Sequence, residues 1–244
     1  NVTGVQTCAL PICYDQLYID QQSDDDDHPA PTLLSWAATS SKALALRISS
    51  CVLTLDKKVV CVGWNQSYQL GTTDGPPWPR RTEVPLEGVE DIVGSDETIC
   101  ALNSSGEVWC WGKNVYGRIV PNQPGSLIPT RVPLPSLAKQ IAMGHGFVCA
   151  ILADDSVHCW GDNERKALGA CDLGWDSGPQ YIHLDAAQSQ RLYAKQLALG
   201  FAHACAVDLN DQLWCWGDNR GGNTGTGENP DPVCPPKRLS IACE

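Results

Sequence analysis

The apolar residues of this chain fall in short runs bounded by Pro, Gly and small polar residues. In Cys100-Ala-Leu-Asn-Ser-Ser-Gly-Glu-Val-Trp-Cys110, two apolar triplets flank a polar centre. That pattern predicts a hairpin of two short strands. It recurs from Cys51 to Cys61, from Cys149 to Cys159 and from Cys205 to Cys215. In each copy a Gly stands two positions beyond the second Cys (Gly63, Gly112, Gly161, Gly217) and an Asn two beyond that (Asn65, Asn114, Asn163, Asn219). Successive units begin 49, 49 and 56 residues apart. Upstream of each hairpin lies another apolar run, "KALAL" (42–46), "EDIVG" (90–94), "KQIAM" (139–143) or "KQLAL" (195–199). Ahead of these stand runs such as "TEVPLEG" (82–88) and "TRVPLPS" (130–136), whose Val-Pro-Leu core reads as a further strand. The pattern gives about four short strands per unit of roughly fifty residues, the size of a propeller blade. The Gly suits a positive φ at the strand exit, the Asn suits an Asx turn, and Trp111, Trp160 and Trp216 suit packing between blades.

The stretch Cys100 to Asn114 followed by "RVPLPSLAKQIAMG" resembles the regulator of chromosome condensation repeat. The resemblance covers residues 42–244 and, more weakly, 13–41. Some positions depart from the repeat. Its Gly-Gln-Leu-Gly turn survives as "QLG" at 69–71 and "ALG" at 167–169, its His before the first Cys appears only as His203, and Val62-Gly63-Trp64 inverts the usual Trp-Gly order. The fold class expected is all-β, a partial β-propeller of about four to five blades with four antiparallel strands each. The family resemblance implies closure at seven. The repeats are placed at 42–89, 90–138, 139–194 and 195–236, with "KRLSIAC" in 237–244 opening a truncated unit. Residues 13–41 read as a degenerate partial repeat with an acidic loop. Residues 2–12, "VTGVQTCALPI", match the translation of a short-read sequencing adapter, so residues 1–12 are set aside as foreign. Both ends read as broken, which leaves an open arc of blades with exposed sheet edges.

Charge narrows the classes of function. Lys plus Arg number 17 and Asp plus Glu 28, a net of −11, and an acidic surface repels nucleic-acid phosphates. No apolar run reaches the length of a membrane span. The acidic block "SDDDDHPAP" (23–31) lacks the regular acid spacing and Gly turn of a calcium loop. The five His residues (28, 145, 158, 183, 203) accompany no nucleophile motif, and no phosphate loop or zinc-protease motif occurs. The cysteines form neither close zinc-binding pairs nor a C-x-x-C redox motif. The expectation is therefore no catalytic residue, no cofactor and no metal. Asn65-Gln-Ser67 and Asn103-Ser-Ser105 match the N-glycosylation triplet, as does Asn1 in the foreign segment.

Residues opposed across an antiparallel pair have a constant index sum, and their Cα atoms lie within disulfide reach. Four hairpin bridges are expected: Cys51–Cys61, Cys100–Cys110, Cys149–Cys159 and Cys205–Cys215. A turn-forming residue sits at each centre (Asp56, Ser105, Asp154, Asn210), and Gly106 suits the left-handed position of a three-residue loop. Cys171 and Cys234 are a candidate fifth pair. Paired cysteines point to an extracellular, periplasmic or cell-surface location. The expected function is a non-enzymatic propeller that binds another protein. The alternatives are a structural module of a larger surface or receptor protein, and an enzyme whose site lies in further blades. The family's precedents are nucleotide exchange on a nuclear small GTPase and secreted inhibition of a β-lactamase, and neither carries over residue by residue. The partner surface is expected on the divergent loops after Trp-Gly-x-Asn, which offer Trp78, Arg80, Arg81, Tyr116, Arg118 and Trp175 as anchors.

Overall fold

The computed structural model describes residues 40–46, 49–73, 80–119, 125–173, 176–227 and 231–240. Within them lie four sheets of four antiparallel strands, each sheet in simple sequential order. The first blade comprises β1 (Ser40–Ala45), β2 (Ser49–Thr54), β3 (Val59–Gly63) and β4 (Arg80–Glu83). The second comprises β5 (Val89–Ser95), β6 (Thr98–Asn103), β7 (Val108–Lys113) and β8 (Gly125–Arg131). The third comprises β9 (Ala138–Met143), β10 (Phe147–Leu152), β11 (Val157–Asp162) and β12 (Asp176–Tyr181). The fourth comprises β13 (Ala194–Leu199), β14 (His203–Asp208), β15 (Leu213–Gly217) and β16 (Val233–Leu239). The first strands of successive blades, β1, β5, β9 and β13, are neighbours in that order, as propeller inner strands are.

The hairpins explain the Cys spacing. Cys51 faces Cys61, Cys100 faces Cys110, Cys149 faces Cys159 and Cys205 faces Cys215, each pair with Cα atoms 4.1 Å apart and a disulfide between them. Each turn is a three-residue loop. The amide of Asn103 donates to Glu107 O at 3.0 Å, and Gly106 donates to Asn103 O at 2.9 Å with φ +80°. The corresponding third loop residues, Lys57, Asp155 and Asp211, also have positive φ (65°, 69° and 62°).

Alternation along each strand sends the disulfide to one face and the Trp to the other. The core therefore lies between sheets. The first seam buries Cys51 and Cys61 of one blade against Trp111 of the next. The second buries Cys100 and Cys110 against Trp160, and the third Cys149 and Cys159 against Trp216. All three Trp side chains are fully enclosed, each worth about 2–3 kcal/mol in burial alone. In the first blade, Val62 takes the place of the packing Trp and pairs with Ser50, while Trp64 emerges on the surface. The inverted Trp-Gly order thus leaves Gly63 at the same exit, with φ +120°.

Two boundaries differ from the expectation. Lys237 to Leu239 belong to β16 and pair with β15, so they complete the fourth blade instead of opening a fifth unit. Val-Pro-Leu is not a strand of its own. Val84 and Val132 donate to Val59 O and Val108 O, extending the outer strand by one bond. Leu86 and Leu134 then donate back to Val84 O and Val132 O across the Pro, a tight turn that a fixed proline φ favours. Residues 1–39 lie outside the described residues, and with them the segment read as foreign; of the degenerate repeat placed at 13–41, only Ser40 and Ser41 are described, and they enter β1.

Candidate partner-binding face

In a four-stranded antiparallel blade, the turn from first to second strand and the loop from third to fourth lie at the same end. In these blades that end is built by one recurrent clamp. The Asn after Trp-Gly accepts, on its Oδ1, the backbone N–H five residues on: Asn65 from Leu70 (2.9 Å), Asn114 from Ile119 (2.7 Å), Asn163 from Leu168 (3.1 Å) and Asn219 from Thr224 (3.1 Å). Its Nδ2 donates further along the same loop, Asn65 to Thr72 O, Asn163 to Ala170 O and Asn219 to Gly227 O. The loop closed is wider than the Asx turn expected, and it is what the next blade rests on. Trp111 donates its indole N–H to Gln69 O at 3.1 Å, Trp160 to Arg118 O at 2.8 Å and Trp216 to Ala167 O at 2.8 Å. Arg118-Ile119 in the second blade therefore fills the role of the "QLG" and "ALG" turns, which its sequence hides.

The preceding Gly is required by close approach. A Cβ on Gly112 would lie 2.1 Å from Glu97 O, and on Gly161 2.6 Å from Gly146 O. Those carbonyls belong to the first-to-second strand turns and accept N–H groups of the third strands, Lys113 and Asp162. The turn and the loop are thus fastened into one surface.

Three turns meet on its inner rim. His145 Nε2 lies 2.9 Å from Asp96 Oδ2 of the previous blade. The ring of Phe201, from the following blade, stacks on His145 at 4.2 Å and 15°, and His145 N–H donates to Phe201 O. Phe201 is 68% exposed. Beneath this row Arg118 donates to Val115 O and, through Nη1, to His145 O at 2.7 Å. Burial pulls the Arg118 guanidinium below its ordinary pKa, and Asp96 opposes the shift. Burial likewise raises the nearby Asp162 carboxyl. Further out, Asp218 is held below the carboxylate range by Arg220, which meets it through Nε at 2.8 Å and Nη2 at 3.2 Å.

Of the anchors expected from the loops, Trp78 and Trp175 lie outside the described residues, as does the side chain of Arg80. Arg81 is exposed, but it sits in β4 opposite Val62. Tyr116 is exposed on the loop. Arg118 is not presented to a partner: it is only 2% exposed, and it donates to Val115 O in its own loop and to His145 O of the next blade. The same face also carries Trp64, Tyr68, His145 and Phe201, which the sequence did not single out as anchors. Tyr68 stands three residues after Asn65, where the second and fourth blades carry Gly117 and Gly222 and the third carries Lys166, left-handed as well (φ +58°). The Tyr68 backbone is left-handed (φ +61°), as that of the two glycines is (+68° and +71°). Tyr116 is left-handed too (φ +69°). A bulky residue in that region costs strain that glycine avoids. Tyr68 and Tyr116 are both exposed, 41% and 42%.

A fifth disulfide joins Cys171, in the loop of the third blade, to Cys234 in β16 of the fourth. Five disulfides suit an oxidising compartment. No helix among the described residues is long and apolar enough to cross a membrane, and they hold no cluster of three metal-ligating side chains.

Residues 89–118, 138–166 and 194–223 match the regulator of chromosome condensation (RCC1) repeat, each match running from a blade's first strand into its Asn-clamped loop. The chain belongs to the RCC1 repeat family. It is 30% identical over 234 residues to the ultraviolet-B receptor UVR8 of Arabidopsis thaliana, covering 92% of this chain and 50% of the receptor. Human WBSCR16 superposes with a TM-score of 0.69 at 20% identity, over 83% of this chain and 53% of that one. Yeast RCC1 (Prp20), solved bound to Kap60, superposes with a TM-score of 0.67 at 21% identity, over 86% and 50%. The chain spans about half the length of each. These likenesses establish the fold as part of an RCC1-type propeller.

Proposed function

We propose that this chain is a non-enzymatic interaction module, exported to an oxidising compartment, and that it binds another protein through the Asn-clamped loop face. One observation carries the reading: Tyr68 is held exposed in a left-handed backbone at a position where two sister blades carry glycine, and Tyr116, also exposed and left-handed, stands on the adjacent blade of the same face. Strain retained on an otherwise fastened surface is a functional signature, and tyrosine on a rigid scaffold is an efficient interface anchor. The row Asp96, His145 and Phe201 extends the same face across three blades. Binding a protein partner also accords with the yeast relative solved in complex with Kap60. Export rests on the disulfides, four of which cross-link hairpins one by one.

Hydrogen exchange with a partner recovered by affinity capture tests the face. Protection is expected in the loops after Asn65 and Asn114 and in the turn at Phe201. Protection confined to the hairpin tips at the opposite end, around Leu55 and Leu209, would refute it.

A further inference from the structure

We infer that Asn103 is an attachment site for an N-linked glycan, and that Asn65, which carries the same triplet, is not. The inference rests on the proposed export, because N-linked transfer takes place in a compartment that also closes disulfides.

The two asparagines sit in opposite surroundings. Asn103 opens the turn of the second hairpin and is half-buried, and Ser104 and Ser105 beside it are exposed. Its Oδ1 accepts the N–H groups of Ser105 (3.1 Å) and Glu107 (2.8 Å). Its Nδ2 meets only the Glu107 carboxylate, at 3.2 Å, among the described residues. A glycosylated amide keeps its oxygen and one N–H, so the turn contacts survive the modification. Glu107 has a second partner ready in Arg131, whose Nε lies 3.0 Å from Oε1. Asn65 is only 7% exposed. Its Oδ1 takes the Leu70 N–H and its Nδ2 is turned inward onto Thr72 O. A sugar on that nitrogen would have to occupy the loop on which Trp111 seats its indole N–H, at Gln69 O. A glycan at Asn65 and the first blade seam exclude one another.

The surface beside Asn103 also suits a sugar. A groove of about 440 Å³ runs along this edge, lined by Asn103 and Glu87 together with Trp109, Leu86, Ile128 and Pro129. Trp109 gives it an aromatic wall, and Ile128 is 51% exposed. The first N-acetylglucosamine, tethered at the rim, has apolar ring surface to cover. In the transfer itself, the Asn103 amide nitrogen attacks the anomeric carbon of a polyprenyl-diphosphate-linked oligosaccharide. The C–N bond forms, the bond from that carbon to the diphosphate oxygen breaks, the nitrogen gives up one proton, and the polyprenyl diphosphate leaves.

The experiment expresses the full chain through the secretory pathway of a eukaryotic cell. Peptide N-glycosidase in heavy-oxygen water then marks each glycosylated Asn as a labelled Asp, read by peptide mapping alongside the disulfides. Label is expected at Asn103 in most molecules and at Asn65 in none. Ser105→Ala should abolish it without touching the Asn103 side chain. Oxidised protein unlabelled at Asn103, or labelled at Asn65, overturns the assignment. Free thiols at the hairpin cysteines would overturn the export reading and the assignment with it.

Discussion

His158 makes the fold sensitive to acid in a way that can be worked from its surroundings. It lies in β11 opposite Ala150 and Tyr181, is 2% exposed, and neither ring nitrogen has a hydrogen-bond partner among the described residues. Its ring packs against Tyr181 at 3.9 Å, and Arg191 sits over the same Tyr ring at 3.6 Å. Burial lowers its pKa from 6.5 to about 4; Asp154 opposes the shift and Arg191 adds to it. The folded state therefore binds a proton less readily than the unfolded chain. Its stability is fully present above pH ~6.5 and falls as the pH drops from there towards ~4. Each pKa unit is worth about 1.4 kcal/mol, so this one group removes roughly 2 kcal/mol between pH 7 and pH 4.5. Carboxylates titrate in the same range, so the informative quantity is a difference. His158→Val places there the residue that the first blade carries as Val60. Urea unfolding of both proteins at the two pH values should show the wild type losing about 2 kcal/mol more than the variant. Parallel losses would mean that His158 is accommodated in its charged form and that the burial argument fails.

Other expectations follow from the seams and the clamp. Trp160→Phe keeps the ring but strands Arg118 O, and should cost about 1–3 kcal/mol by chemical denaturation, whereas Trp64→Phe on the surface should cost next to nothing. Asn163→Ala removes the bonds to Leu168, Ala170 and Leu173 together and should destabilise by at least about 2 kcal/mol, with Asn210→Ala at an exposed turn as the near-neutral control. Under graded reductant, Cys171–Cys234, half-buried at both ends, should open before Cys100–Cys110, which is fully enclosed; thiol trapping and mapping give the order. Its loss should lower stability by about 4 kcal/mol, against about 3 for a hairpin bridge, because it closes a separation of 63 residues rather than 10.

The blades were legible because each hairpin repeats its whole chemistry: a Cys pair at opposed positions, a turn former at the centre, and a Gly and an Asn at fixed offsets. A period of two along a strand then settles which side each residue faces, so packing of Trp111 against the previous blade follows from Cys110 facing the next. Long-range partners were not legible. Arg118 reads as a partner-binding anchor on its loop, yet it is buried and its Nη1 donates to a carbonyl 27 residues away on another blade. Phe201 stands in an apolar stretch, "LGFAHAC", where nothing local marks it as the residue left outside. Val-Pro-Leu reads as a strand because Val and Leu stand on either side of the Pro, and only the partners of Val84 and Leu86 show that the chain turns there. The left-handed Tyr68 carries a signal that a single sequence understates: it fills a place given to glycine in two sister blades.

The account turns on the loop face, and the affinity of a captured partner for a loop-face variant tests it most directly. Titration calorimetry would compare wild type, the triple variant Tyr68→Ala, Tyr116→Ala, Phe201→Ala, and a control, Leu55→Ala with Leu209→Ala, at the opposite end. Interface anchors of this kind contribute about 2 kcal/mol each, so the triple variant should lose binding by several orders of magnitude while the control binds as wild type. Unchanged affinity in the folded triple variant, with loss in the control, would contradict it and place the partner on the hairpin tips.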